Sequence, residues 1–292
     1  MIWFICILLS ISITADKGKK TVPKFNILED ALNLKVDMKS DIISRNSKIV
    51  LIQAQIDEIK EKTKNFIPTP VSPSDIVIIK TSHGTIKLKL YPDKAPNHCN
   101  NFKKLANSGF YDKTIFHRVI PGFMIQGGDI LSRDNIPEND GTGNPGWTIN
   151  QEFNDIRHKR GILSMARSAD VNSAGSQFFI CVDQAYHLDL KYTAFGELIE
   201  GDEVLDIITK LPSEAKQMIK SFKDKIPDNA SEENWIEYSY GGKNFFVKVP
   251  KTTTANVYKN VIRATLKNKH RTFIPVIINS IRVIDPNNSL NE

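Results

Sequence analysis

The sequence predicts a mainly β domain that follows a helical arm and is interrupted near its end by an inserted lobe. Three patterns carry that expectation. Strict alternation of apolar and basic residues in Thr85-Ile86-Lys87-Leu88-Lys89-Leu90 follows the apolar run Ile76-Val77-Ile78-Ile79 across a Ser82-His83-Gly84 turn, as in a hairpin with one face in water. Two further strand-like segments, 116–129 and 161–181, interleave single polar groups with aromatic and thioether side chains. After Leu211 the pattern gives way to about 60 residues of net basic chain with an aromatic stretch of its own, too long for a structureless loop.

Length and composition exclude several classes. The chain of 292 residues can hold a core that needs neither disulfides nor metal. At 40% hydrophobic and 25% charged residues it is neither disordered nor a multi-pass membrane protein. Three cysteines cannot make a disulfide-rich scaffold. His83, His98, His117, His158, His187 and His270 are scattered singly, without HExxH or zinc-like spacing, and no metal or other cofactor is assigned. Gly175-Ser176-Gln177 lacks the G-x-S-x-G elbow of serine hydrolases, and Gly127-Gly128-Asp129 is not a phosphate loop.

The N-terminus is set apart first. Residues 2–13 are almost continuously apolar and uncharged, and Thr14-Ala15 and a charged segment follow. About 12 residues of helix cannot cross a hydrocarbon core of ~30 Å, so residues 1–15 are read as a cleaved signal peptide and the protein as periplasmic or secreted. Retention as an uncleaved membrane anchor is the alternative, since no Lys or Arg precedes the apolar run. In residues 16–73, Ile49, Ile52, Ile56 and Ile59 recur every three to four positions among polar residues, which predicts an amphipathic helix. Its stripe covers either the next domain or a partner chain. Pro68, Pro70 and Pro73 then form a stiff linker.

The domain proper spans 74–292. Pro96 opens a helical pattern that turns Cys99, Phe102, Leu105 and Ala106 inward and leaves His98 pointing elsewhere, with Asn107-Ser108-Gly109 closing it. In Phe116-His117-Arg118-Val119-Ile120-Pro121-Gly122-Phe123-Met124-Ile125-Gln126-Gly127-Gly128-Asp129, period-two alternation faces Arg118 away from His117. In Ser176-Gln177-Phe178-Phe179-Ile180-Cys181 it puts Gln177 on the side of Phe179. A concave apolar site with a few fixed polar groups is the inference.

These segments, with Gly161-Ile162-Leu163-Ser164-Met165-Ala166-Arg167-Ser168, Pro145-Gly146-Trp147 and Phe195-Gly196, resemble a cyclophilin, a peptidyl-prolyl cis-trans isomerase. The similarity covers about 74–212 and resumes at 275–284; the Asp140-Gly141-Thr142-Gly143 loop looks most like bacterial-type members. The resemblance implies a closed eight-stranded antiparallel barrel capped by two helices, at 96–108 and about 202–209. It places the catalytic arginine at Arg118 with Gln126 beside it, and the proline pocket at Phe123, Met124, Phe179 and Leu188. Gln126 and Gln177 become the polar wall that holds the substrate backbone, and Ala166, Arg167 and Ser168 bind the residues before proline. Three positions depart from common members: Arg167 replaces an asparagine, His187 a rim tryptophan and Tyr192 a histidine. His187 is expected to weaken binding of the cyclic peptide cyclosporin. No structural disulfide is implied, so Cys99 and Cys181 are expected to be unpaired.

The insert at 212–272 carries twelve Lys and Arg against six acids, an excess of +6 that equals the net charge of the chain. Residues 213–222 suit a helix, 234–249 a hairpin around Gly241-Gly242, and 255–266 a strand or a helix. Because both ends must return to adjacent barrel elements, a compact lobe remote from the proline pocket is expected. It serves packing and solubility, or a protein or anionic-surface partner; export argues against nucleic acid. The function that follows is isomerisation of X-Pro bonds, with proline-containing peptides and unfolded or exported proteins as substrates. The alternative is a non-catalytic module that binds proline-containing segments of a partner.

Overall fold

The computed structural model describes residues 51–134, 136–231 and 234–286. The expected signal peptide at 1–15 and the first part of the arm lie outside the described residues. Eight strands form one antiparallel sheet: β1 (Ile76–Thr81), β2 (Gly84–Leu90), β3 (Arg118–Ile120), β4 (Met124–Gly127), β5 (Ile162–Met165), β6 (Phe178–Cys181), β7 (Ala194–Glu200) and β10 (Ile278–Ile284), in the order β10-β1-β2-β7-β5-β6-β4-β3. The hairpin read from the sequence is β1–β2, paired from Ile76 with Lys89 to Thr81 with Gly84.

The edge strands β3 and β10 do not meet in a ladder. Single bonds between the segments flanking them join the two edges: Ile115 bridges Ile277, Lys113 N donates to the Ile278 carbonyl, and Phe116 N to that of Val276. The sheet is therefore curled far enough for its ends to touch, while the closed barrel of the sequence reading is not a continuous ladder.

Alternation sorts the side chains into two layers. Val77, Ile79, Ile86, Leu88, Ile125, Leu163, Phe178, Ile180, Phe195 and Ile281 point into the main core. Helix α2 (Pro96–Asn107) closes that core with Cys99, Phe102, Leu105 and Ala106, all fully buried, and α3 (Asp202–Lys210) adds Val204, Leu205 and Ile208. His98 is buried too, contrary to expectation. Its Nδ1 lies 2.6 Å from Glu152 Oε2, and the same carboxylate accepts from the backbone N of Asn97 and His98. A carboxylate distant in sequence thus satisfies the amide groups that open the helix, and brings the histidine in with it.

Helix α1 (Gln53–Asn65) uses a shorter stripe than the spacing predicts. Ile56 is buried in the main core and Ile59 packs against it, but Ile52 is the N-cap and 64% exposed. Thr63 Oγ1 accepts from Ser108 Oγ at the end of α2. Helix α1 therefore packs on the domain that follows it.

The insert is an ordered lobe. Helix α4 (Glu214–Lys220), the hairpin β8 (Trp235–Tyr240) and β9 (Lys243–Lys248), and helix α5 (Ala255–Lys267) surround their own cluster of Phe222, Ile236, Val247, Val249, Tyr258 and Ile262. Gly241 and Gly242 both take positive φ, as a two-residue hairpin turn requires. The lobe leaves and rejoins the domain through a paired stem: Ser213 bridges Thr272, Glu214 N donates to the Arg271 carbonyl and Phe273 N to that of Pro212.

Candidate functional site

Register builds the site on the face of the sheet opposite the main core. Arg118 pairs with Gln126 and Ile120 with Met124 across β3–β4, and across β4–β6 Gln126 pairs with Phe179 and Met124 with Cys181. Their neighbours Val119, Ile125 and Ile180 belong to the main core, so these side chains share the other face. There Met124, Ile162, Phe179, Cys181, Ala185, Leu188 and Ala194 form a second buried cluster, with Phe123, Ala166 and Tyr192 partly buried around it.

A single run of hydrogen bonds crosses this surface. Arg118 Nη1 donates to Gln126 Oε1 at 3.1 Å, Gln126 Nε2 to Gln177 Oε1 at 3.0 Å, and Gln177 Nε2 to the carbonyls of Gly141 and Gly143 at 2.9 Å each. Both amides are thereby oriented with oxygen toward the arginine side. The half-buried Arg118 has its pKa lowered by desolvation, with Tyr192 acting in the opposite direction; a guanidinium stays cationic at any working pH. Two glycines permit the close packing. A Cβ on Gly128, at φ +85°, would run into the Ser176 carbonyl, and one on Gly143 into the Asp129 carboxylate.

The rim differs residue by residue. His187 is exposed, with its ring 5.4 Å from that of Phe123. Arg167 folds back rather than reaching the pocket: its Nη2 donates to the Lys191 carbonyl at 2.9 Å and its guanidinium lies 4.5 Å over the Tyr192 ring. Ala166 N donates to the Gln177 carbonyl at 2.9 Å. Ser168 is exposed, bonded to Ser173 Oγ at 2.7 Å, and lies outside the apolar cluster.

Several residues of the site carry no sequence signal. Beneath Phe179, His158 stacks on the ring with its Nε2 2.9 Å from Ser164 Oγ and its Nδ1 3.0 Å from Asp189 Oδ1. The order is that of a hydrolase triad, but His158 and Ser164 are fully buried and Ser164 Oγ also bonds the Thr193 carbonyl, so the group supports the apolar cluster from beneath Phe179. Asp129, also buried, accepts from Leu131 N and Gly141 N. Asp140 pairs with Arg271 at 2.7 Å, and burial pushes its pKa up to about 7 against the pull of that arginine. Burial, helped by the positive charges of Arg118 and Arg271, brings His117 down to about 4.

Cys99 and Cys181 are free and buried, and desolvation pushes both thiols up to about 12, which makes neither a nucleophile. Among the described residues no group of three or more His, Cys, Asp or Glu is placed to hold a metal ion.

The same part of the chain is similar to known proteins. Residues 76–227 match the family model described as cyclophilin type peptidyl-prolyl cis-trans isomerase. A peptidyl-prolyl cis-trans isomerase of Synechococcus elongatus is 48% identical over 134 residues, 46% of this chain and 86% of the relative. One from Arabidopsis thaliana is 47% identical over 141 residues, 46% of this chain and 82% of the relative. Peptidyl-prolyl cis-trans isomerase A of Dickeya dadantii is 44% identical over 143 residues, 47% of this chain and 73% of the relative. A solved Cryptosporidium parvum cyclophilin aligns with a TM-score of 0.49 at 28% identity, over 72% of this chain and 98% of that one. Because the family match spans more than half of its residues, the chain belongs to the cyclophilin-type peptidyl-prolyl cis-trans isomerases.

Proposed function

We propose that Arg118 supplies the chemical step of X-Pro isomerisation, on a proline held by Phe123, Met124, Phe179 and Leu188. The amide C–N bond resists rotation by roughly 18–20 kcal/mol because it has double-bond character. In the twisted transition state the proline nitrogen loses conjugation and gains a lone pair. A donor aimed at that nitrogen is strengthened only there, and such differential binding is what accelerates a reaction. No nucleophile, proton transfer or cofactor is required. Gln126 orients the guanidinium from one side, and Gln126 and Gln177 offer polar groups to the substrate backbone. The contact at Arg167 is made largely by backbone, so the replacement of asparagine there leaves it available.

The observation that carries this reading is Arg118, held by Gln126 at the edge of a buried apolar cluster. In a protease-coupled assay on a prolyl tetrapeptide, Arg118→Ala should lose about 10²-fold or more in kcat/KM with unchanged circular dichroism. A folded variant with parental turnover would refute the assignment.

The substrates we propose are proline-containing segments of unfolded exported proteins. The support is the apolar run at 2–13, read as a signal peptide; mass measurement of protein recovered from outside the cytoplasm tests it, cleavage after Ala15 being the expected result and an intact N-terminus the contrary one. The positive excess of the lobe suits an acidic protein or other anionic surface, an attraction that added salt should weaken.

A further inference from the structure

The lobe expected to stand apart from the pocket is joined to it. Its returning segment meets β3: Val119 N, next to Arg118, donates to the His270 carbonyl at 2.8 Å. The following residue, Arg271, turns away from solvent with its side chain only 10% exposed. Arg271 Nη1 meets Asp140 Oδ2 at 2.7 Å, and its Nε lies 3.8 Å from Glu214 Oε1 at the other side of the stem; those carboxylates are 3% and 9% exposed. Asn268 Nδ2 donates to the Pro137 carbonyl at 3.0 Å, a second tie from the lobe to the same loop.

That loop is the one on which Gln177 depends, because Gly141 and Gly143 provide both acceptors for its Nε2. We propose that Arg271 is a positioning residue of the isomerase site: by holding Asp140 it fixes the Gly141 and Gly143 carbonyls, hence Gln177, Gln126 and finally Arg118. This rests on the assignment of the chemical step to Arg118. The physics favours a specific clamp over incidental packing. A surface arginine in so basic a segment would stay solvated, whereas desolvating a guanidinium is costly unless carboxylates meet it. Two acids on different segments do so here. Asp129 holds the loop from the opposite side through Gly141 N, so Arg271 closes a bracket around a short glycine-rich turn with little packing of its own. Hydrogen-bonded amides in series transmit such a shift because each acceptor sets the orientation of the next donor.

The test uses the full chain and the prolyl tetrapeptide. Arg271→Met should lower kcat/KM about tenfold, chiefly through kcat, because the apolar pocket that binds proline is untouched. It should also move the side-chain amide resonances of Gln177 and Gln126. Arg271→Lys should restore part of the rate. Should Arg271→Met fail to fold, Asp140→Asn decides the matter in the same assay, since it removes the charge pair while keeping shape. A folded Arg271→Met or Asp140→Asn with parental kcat/KM and unmoved amide resonances would overturn the proposal. Arg118→Ala is measured alongside. If it loses activity while the clamp variants keep theirs, only the clamp falls; if it keeps activity, the assignment of the chemical step falls first.

Discussion

The chain contains two aromatic cores that use the same side chains to different ends. In the sheet, Phe102, Tyr111, Phe116, Phe178 and Phe195 are fully buried, with Phe102 5.3 Å from both Tyr111 and Phe178 and in tilted or edge contacts. In the lobe, Phe222 gathers Tyr238, Tyr240 and Phe245 at 5.6–6.0 Å, yet Tyr240 is 41% exposed and only Val247 and Ile262 are essentially sealed. The difference lies in cover. Eight paired strands and α2 enclose one cluster from all sides, whereas a two-stranded hairpin and two short helices cover the other from one. An isolated hairpin is marginal in water, so the lobe draws its order from its helices and from the stem. Its stem and the end of α5 are what reach the loop beside Gln177.

Mutations should expose that contrast. The largest effect on stability is expected from Phe178→Ala, which empties the centre of the aromatic cluster and should cost about 3–5 kcal/mol, read as a lower midpoint in denaturant. Phe222→Ala should cost less, because that ring sits in a smaller cluster with thinner cover, and limited proteolysis should show new cleavage confined to the lobe. Equal global losses from the two variants would mean that the cores unfold as one.

Asp140 gives a test of sign. Burial raises its carboxyl pKa from an ordinary 3.8 to about 7, against the pull of Arg271 and with Asp129, Asp134 and Glu214 adding to the rise. A group whose folded pKa is raised stabilises fully below its unfolded value, and that contribution is lost as pH rises through the folded one. Parent stability relative to Asp140→Asn should therefore decline between about pH 4 and 7. His117, held down at about 4, acts oppositely in the same window, which is why the difference between the two proteins is the quantity to measure. A difference independent of pH would show that Asp140 does not titrate there.

The smallest effect concerns the rim. His187→Trp adds apolar area and an indole donor beside Phe123, and should bind cyclosporin several-fold more tightly by calorimetry, an order-of-magnitude expectation for one aromatic contact. Unchanged affinity would remove His187 as the weak point.

What could be read from the sequence was whatever repeats locally. Alternation faced Arg118 away from His117 and put Gln177 on the side of Phe179 without any knowledge of the fold, and Gly241-Gly242 marked the lobe hairpin. Pro96 and Asn107-Ser108-Gly109 marked the ends of α2, and the eight-stranded antiparallel architecture followed from the family resemblance. The illegible parts are contacts between distant segments. Nothing near His98 announces that Glu152 will cap its helix and bury it, and nothing in a basic insert distinguishes Arg271, buried against Asp140 131 positions away, from the solvated lysines around it. Ile52 was misplaced for a local reason, since a helix that begins at Gln53 leaves the residue before it outside the apolar stripe.

The central claim is that the face carrying Arg118 both binds an X-Pro segment and turns it over. Two-dimensional exchange NMR on a prolyl peptide reads both at once. With catalytic amounts of the parent protein, cross-peaks between cis and trans resonances should appear; with Arg118→Ala they should vanish, while the peptide still shifts the methyl resonance of Met124. Exchange cross-peaks of parental intensity from folded Arg118→Ala would contradict the account.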